Sequence, residues 1–390
     1  MKNFKKLASL VLALLMIVSC AALASCGKKE EKDPTVLVIG GIGPLTGAYA
    51  NYGNSVKNGA EIAVAEINAA GGINGFTIEL DFQDSVGLPE SAVAAYGKQI
   101  DDGMMVSLGG VLSGETASVV AEAKQDGILI LTPSASADDA IKDNDAAFRV
   151  CFSDSSQGVA AANYIGANNL PKKVAVFYQS DIDYSKGLFD AFKSTSDANG
   201  IEIVAEESFT TDTASDFSTQ ITAIQNSGAE MIFMPIYADE ASTFLTQAQG
   251  KFADSMLYFG CDGLDGILGK VADSALCENV LLLTPFAADD TKEIVQKFVT
   301  SYQAKCDGAI PDQFAADGYD AVYAIKAAIE KANLTPEDQD DFNNRIVAAM
   351  TEINVTGVTG DMTWEASGET VKLPLVMIIK SGVAQLYTPE

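Results

Sequence analysis

The stretch VLVIGGIGPLTGAYANYG, Val36 to Gly53, runs an apolar strand into Gly41, Gly43 and Gly47. It lies close to the glycine fingerprint that cradles a dinucleotide's pyrophosphate, so its reading decides between a nucleotide fold and another use of the loop. A dinucleotide fold starts its helix directly after the glycines and keeps an acid about 20 residues further on. Here Tyr49-Ala50-Asn51-Tyr52-Gly53 intervenes before a helix, and the acid ending the second strand, Asp84, lies roughly 41 residues past Gly43. Pro44 also removes a backbone N–H where an anion-binding loop needs donors. The dinucleotide reading is rejected. Taken alone, the stretch is a turn whose glycines serve only the backbone.

Outward from this loop, short β-branched runs alternate with amphipathic stretches. Strands are expected at Val36–Gly40, Thr77–Phe82, Met104–Leu108, Ile128–Leu131, Lys173–Tyr178, Ile201–Glu206, Met231–Met234, Met256–Phe259 and Val280–Leu283. Helices are expected between them, as at Ser55–Asn68, Ser91–Asp101, Thr116–Gln125, Gln157–Ala167, Lys186–Ala198 and Phe217–Asn226. Strand–helix–strand repetition of this kind predicts an α/β protein whose parallel sheets carry helices on both faces. The C-terminal third adds expected helices at Thr291–Lys305, Phe314–Ala332 and Pro336–Ile353, then β structure over Thr363–Leu386. The chain is long for one compact core and suits two lobes.

The N-terminus reads as an export signal. Lys2, Lys5 and Lys6 precede an apolar core, Leu7 to Val18, too short to span a bilayer with ordinary flanks. Leu23-Ala24-Ser25-Cys26 then resembles a bacterial lipoprotein signal, with 1–25 as signal peptide, Cys26 as the lipidated residue and 26–33 as a polar tether. Ile17-Val18-Ser19-Cys20 is a competing site, and an ordinary secretory cleavage is the plainer alternative. The expected location is outside the cell, anchored to the outer face of the cell membrane.

Composition excludes several functions. The formal net charge is −28, and loss of the three signal lysines makes it more negative. That field repels phosphate backbones and anionic headgroups, so no nucleic acid is expected as a partner, and membrane attachment falls to the lipid. The chain has no histidine, which excludes Ser-His-Asp and Cys-His catalysis and every His-based metal site. Cys151, Cys261, Cys277 and Cys306 lack CxxC spacing, which argues against zinc and leaves disulfides and buried thiols both open.

In open α/β sheets, ligands bind outside the carboxyl ends of the strands. Those ends carry Gly109-Gly110-Val111-Leu112-Ser113, Thr132-Pro133-Ser134-Ala135-Ser136, Tyr178-Gln179-Ser180-Asp181, Pro235-Ile236-Tyr237 and Gly260-Cys261-Asp262-Gly263. Hydroxyls, aromatics, exposed backbone and one acid therefore converge on one edge, with no nucleophile–base pair and no carboxylate cluster of metal type. The set is a recognition surface. Singly, each residue has a plainer use: Ser134 and Ser136 as helix caps, Asp262 as a turn residue, Tyr184 and Phe314 as helix packing.

Five segments in order along the chain carry a family resemblance: IGGIGPLTGAYANYGNSVKNGAEIAVAEINAAGGING, LGGVLSGETASVVAEAKQDGILILTPSAS, FRVCFSDSSQG, QSDIDYSKGLFDAF and PDQFAADGYDAVYAI. Together they resemble the extracellular solute-binding proteins of the leucine/isoleucine/valine-binding group, which feed amino-acid ABC importers. The resemblance implies the type I periplasmic-binding-protein fold: two doubly wound parallel-sheet lobes, three crossing strands between them, and a ligand buried in the cleft. It assigns 34–152 plus 286–360 to lobe 1 and 153–285 plus 361–390 to lobe 2.

By motif, Ser113, Ser134 and Ser136 match positions that hold a ligand α-carboxylate through hydroxyls and backbone. Asp262 stands where the family keeps an acid for the α-ammonium, shortened from the usual Glu. Tyr52, Tyr184, Tyr237 and Phe314 match aromatic wall positions. The implied protein is a monomer without cofactor or metal, no enzyme, binding an amino acid, branched-chain by preference, for a membrane permease. The alternative within the same fold is a sensing module that presents a small organic acid or amide to a membrane receptor partner.

Overall fold

A computed structural model describes residues 33–389; the expected signal peptide, Cys26 and the tether up to residue 32 lie outside the described residues. The first part of the chain forms β1 (Val36–Gly43), α1 (Ala50–Ala69), β2 (Thr77–Asp84), α2 (Pro89–Asp101), β3 (Val106–Ser107), α3 (Ser113–Ala123), β4 (Ile130–Thr132) and β5 (Ala147–Arg149). The second forms α4 (Asp154–Ala167), β6 (Lys173–Gln179), α5 (Asp183–Ser196), β7 (Glu202–Phe209), α6 (Ser218–Ser227), β8 (Met231–Met234), α7 (Ala238–Gln247), β9 (Leu257–Gly260) and β10 (Val280–Thr284). The last forms α8 (Glu293–Lys305), α9 (Gln313–Lys331), α10 (Phe342–Met350), β11 (Asn354–Gly357), β12 (Gly360–Thr363), β13 (Leu375–Lys380) and β14 (Val383–Leu386).

One sheet has the order β2-β1-β3-β4-β5 and is parallel throughout. The other runs β14-β13-β10-β9-β8-β6-β7, parallel from β10 to β7 with β13 and β14 added antiparallel. Helices cover both faces of a parallel sheet, so its strands are apolar without alternation. The four buried residues of β8, Met-Ile-Phe-Met, show this directly. The fold is that of the type I periplasmic binding proteins.

Three segments cross between the lobes, at 150–153, 285–292 and 364–374. The expected lobe boundary after residue 360 falls inside the β11–β12 hairpin. Val355, Met362 and the following Trp364 are buried in the first lobe's core, and Trp364 Nε1 donates to Arg149 O at 2.7 Å. Residues 361–364 therefore pack with the first lobe, because the hairpin buries its apolar face there. The β structure expected over Thr363–Leu386 is found as two strands, β13 and β14, preceded by the crossing segment.

The opening loop also differs from its reading. α1 begins at Ala50, so Gly53 lies inside the helix rather than before it. Its glycine is needed because a Cβ there would sit 2.0 Å from Pro44 O. Further along α1 the same economy recurs against α9. A Cβ on Gly59 would meet Ala315 O at 1.8 Å, and one on Gly318 would meet Val56 O at 2.4 Å. The two helices therefore touch backbone to backbone, and their N-terminal ends bring Tyr52 and Phe314 together at the cleft. The four cysteines among the described residues are free thiols, three of them buried.

Candidate functional site

The parallel strands of both sheets end at the cleft, and the residues just after those ends meet there. Seven of the eight expected residues line one small cavity: Tyr52, Ser134, Ser136, Tyr184, Tyr237, Asp262 and Phe314, with Val111, Leu112 and Gly263 completing it. Its volume, about 10 Å³, is room for about one water molecule. Ser113 is the exception. It opens α3 but its hydroxyl turns away from the cavity and accepts from Ala137 N at 3.1 Å, tying α3 to the loop that holds Ser134 and Ser136.

The second lobe supplies an acid and its supports. Asp262 Oδ1 accepts from the Tyr184 hydroxyl and from Gly263 N, each at 2.8 Å, while Asp262 N donates to Gln157 Oε1 at 3.0 Å. Burial pushes the Asp262 carboxyl up to about 6, against the hydrogen bonds that favour its ionised form. Tyr184 stacks on Tyr237 with ring centroids 4.5 Å apart and planes within 3°. A cation entering here meets a carboxylate beside a stacked pair of tyrosine rings.

The first lobe supplies hydroxyls, backbone and apolar surface. Ser134 Oγ donates to Val111 O at 2.8 Å, and Tyr52 packs edge-on against Phe314 at 4.6 Å. α3 starts beside the cavity, so its first N–H groups and helix dipole favour an anion. The cavity lining contains no lysine or arginine. An anionic group would be held by neutral dipoles.

Tyr52 also bridges the lobes. Its hydroxyl donates to Gly263 O at 2.7 Å and accepts from Ala238 N at 2.8 Å. Further contacts ring the cleft: Tyr49 OH to Glu240 Oε1 at 2.8 Å, Lys270 Nζ to Ala48 O at 2.5 Å, and Gln313 N to Asp265 Oδ2 at 2.8 Å.

One buried acid near the cavity, though not in its lining, escaped the sequence reading. Asp154, the first residue of α4, is fully buried, and neither carboxylate oxygen has a hydrogen-bond partner. Burial first, then the nearby Asp262 charge, raise its carboxyl well above the usual range. Two buried acids of one lobe thus stand close together, with Ser136 and the Arg149 charge only partly opposing the rise. The signal was present in FRVCFSDSSQG, where an acid follows the first crossing, but between Ser153 and Ser155 it reads as helix capping. Gln157, in the same motif, supports Asp262 and was also not singled out.

A wider groove of about 930 Å³ lies on the first lobe between α8, α9 and β11. Its central acid, Glu66, already accepts from Tyr319 at 2.7 Å, Tyr323 at 3.0 Å and Ser301 at 3.1 Å. It touches one lobe only, so occupancy there has no direct hold on lobe closure. The interlobe cavity is the candidate site.

Comparison with known proteins agrees with this architecture. A family model described as "Periplasmic binding protein" matches residues 36–378. The chain is similar to Leu/Ile/Val-binding protein homolog 3 of Brucella melitensis, with 34% identity over 84% of this chain and 86% of that protein. It is similar in structure to the branched-chain amino acid transporter substrate-binding protein of Streptococcus pneumoniae solved with isoleucine. That match has TM-score 0.81 and 28% identity, covering 90% of this chain and 98% of the other. A Rhodopseudomonas palustris solute-binding protein solved with benzoate shares the fold at TM-score 0.80 and 22% identity, over 90% of this chain and 95% of that one.

Proposed function

This chain belongs to the periplasmic binding protein family, and from that premise we propose that it captures a branched-chain amino acid between its lobes for an ABC importer. The observation that carries the reading is the pair Asp154 and Asp262, two neighbouring buried acids, of which Asp154 lacks a well-formed hydrogen bond at either carboxylate oxygen. Both acids can be ionised together only at high cost unless a cation joins them, so an ammonium between them is favoured. An α-ammonium fits between them with the Tyr184–Tyr237 stack as its wall. The ligand carboxylate then faces Ser134, Ser136 and the start of α3, and an aliphatic side chain meets Tyr52, Val111, Leu112 and Phe314.

Binding favours closure because the two ends of the zwitterion are held by different lobes. Opening the cleft breaks the Tyr52 bridge, admits the ligand and widens the small cavity. Delivery to a membrane permease, attachment through a lipid on Cys26 and a monomeric state complete the proposal. The relatives named for leucine, isoleucine and valine binding support it, as does the N-terminal signal pattern.

The test is a thermal-shift screen of the chain from residue 27 onward against all amino acids and small organic acids. A ligand that binds only the folded state raises the melting temperature in proportion to its affinity. Leucine, isoleucine or valine should give the largest shifts. A screen in which only benzoate-type acids respond would overturn the reading.

A further inference from the structure

Arg149 ends β5 and its side chain is fully buried. A buried guanidinium normally finds carboxylates, but this one has a single ion pair, Nη2 to Glu369 Oε1 at 3.1 Å. Its other contacts go to backbone. Nη1 donates to Ala135 O at 3.2 Å, Ser136 O at 2.6 Å and Ala137 O at 3.1 Å, and Nη2 reaches Asp138 O at 3.5 Å. Four successive carbonyls of one loop therefore turn toward one cation.

A trans peptide points its N–H opposite to its C=O. With the carbonyls of Ala135, Ser136 and Ala137 drawn to the guanidinium, the N–H groups of Ser136, Ala137 and Asp138 are directed away from it. The Ala137 N–H shows the direction by donating to Ser113 Oγ, at the start of α3. This loop carries Ser134 and Ser136 into the cavity. β5 is fixed in its turn by Arg149 N to Gly368 O at 3.0 Å and by Trp364 Nε1 to Arg149 O at 2.7 Å.

We propose that Arg149 is a positioning residue for ligand capture: from behind the Ser134–Asp138 loop it orients and polarises the peptide N–H groups that receive the ligand carboxylate. The assignment rests on the amino-acid reading above. A cation one layer behind the site gives the loop a positive end without placing a charge in the cavity. The ligand carboxylate keeps a reversible, neutral first contact, and Glu369 tempers the field from the far side.

The experiment measures leucine and leucinamide affinities by titration for wild type, Arg149→Lys and Glu369→Gln. Leucinamide keeps the amine and side chain but lacks the carboxylate, so the ratio of the two affinities isolates that group. Lysine cannot gather the carbonyls as the planar fork does, and the leucine-over-leucinamide preference should fall at least tenfold in Arg149→Lys. An unchanged preference, with both ligands weakened alike or neither, would make Arg149 merely structural and overturn the proposal. Should Arg149→Lys show no cooperative melting transition, Glu369→Gln decides. It keeps the cradle and removes the tempering charge, so the preference should rise at least threefold, and no rise overturns the proposal. Wild type that binds neither ligand removes the amino-acid reading and this assignment with it. Wild type that binds leucine while the deciding variant leaves the preference unmoved removes the assignment alone.

Discussion

The hydroxyl of Tyr52, on the first lobe, donates to the carbonyl oxygen of Gly263, on the second, at 2.7 Å. The same hydroxyl accepts from Ala238 N, so one side chain satisfies two backbone groups across the cleft. Gly263 follows Asp262, and Ala238 follows Tyr237. The bridge therefore couples lobe closure to the position of the acid and the aromatic wall.

Tyr52→Phe removes this bridge while keeping the ring against Phe314. A buried donor and a buried acceptor lose their partner in the closed form, a cost of about 1–3 kcal/mol. Leucine affinity by calorimetry should fall about 5- to 150-fold by that energy. The ligand-free melting temperature should move little, since each lobe keeps its own core.

Asp262→Asn keeps an oxygen for the Tyr184 hydroxyl and removes the charge. With the ammonium left against a neutral amide in a dry cleft, leucine binding should weaken at least about 100-fold. Wild-type affinity in this variant, measured by the same calorimetry, would remove Asp262 from the site.

The pH dependence follows in sign from burial of Asp262, whose carboxyl is pushed up to about 6. Pairing with an ammonium lowers that value again, so binding releases a proton wherever Asp262 begins protonated. The Asp262 contribution to affinity should be level above about pH 6.5 and fall by up to tenfold per pH unit below about 6. A titration series from pH 5 to pH 8 reads this, and Asp262→Asn should flatten that part of the curve.

A second pair of acids works in the opposite direction. Asp265 of the second lobe accepts Gln313 N at 2.8 Å, which brings it beside Asp312 of the first lobe. Burial first, then the Asp312 charge, push the Asp265 carboxyl up to about 7. In the opened cleft its carboxyl returns toward the ordinary range, so closure takes up a proton and is increasingly disfavoured as pH rises from that range to about 7, above which the effect is level. Asp265→Asn keeps the acceptor and removes the repulsion. It should tighten leucine binding by at least about tenfold at pH 8, with the gain shrinking as pH falls toward the ordinary carboxylate range.

The helix pair under the site offers a stability test. Gly59→Ala places a methyl where Ala315 O approaches to 1.8 Å, so α1 and α9 must separate. Overpacking of this kind costs about 1–3 kcal/mol, visible as an earlier denaturation midpoint. Ligand affinity should fall as well, because Tyr52 and Phe314 ride on these two helices.

The convergence of these residues on one cavity was legible because parallel strands end together at one edge, and the serines, Tyr237 and Asp262 follow those ends directly. Asp154 was hidden by its neighbours, since an acid between serines at a helix start has an ordinary use as a cap. Ser113 was placed correctly on the chain, but its rotamer, turned to Ala137 N, depends on the partner loop. Gly53 inside α1 answers to Pro44 O, and Trp364 in the first lobe answers to the core beneath the hairpin. Both are tertiary contacts without local pattern. β5 has only three residues, Ala-Phe-Arg, too few to show a period, yet it ends in the buried Arg149 on which the loop is gathered.

The most direct test compares leucine with 4-methylpentanoate, the same acid without its amine, by isothermal titration against the chain from residue 27 onward. The proposed pairing of a ligand ammonium with these two buried acids predicts that leucine binds and that the amine-free acid binds at least about 100-fold more weakly. Equal affinity for the two, or preference for the acid without the amine, would contradict the account.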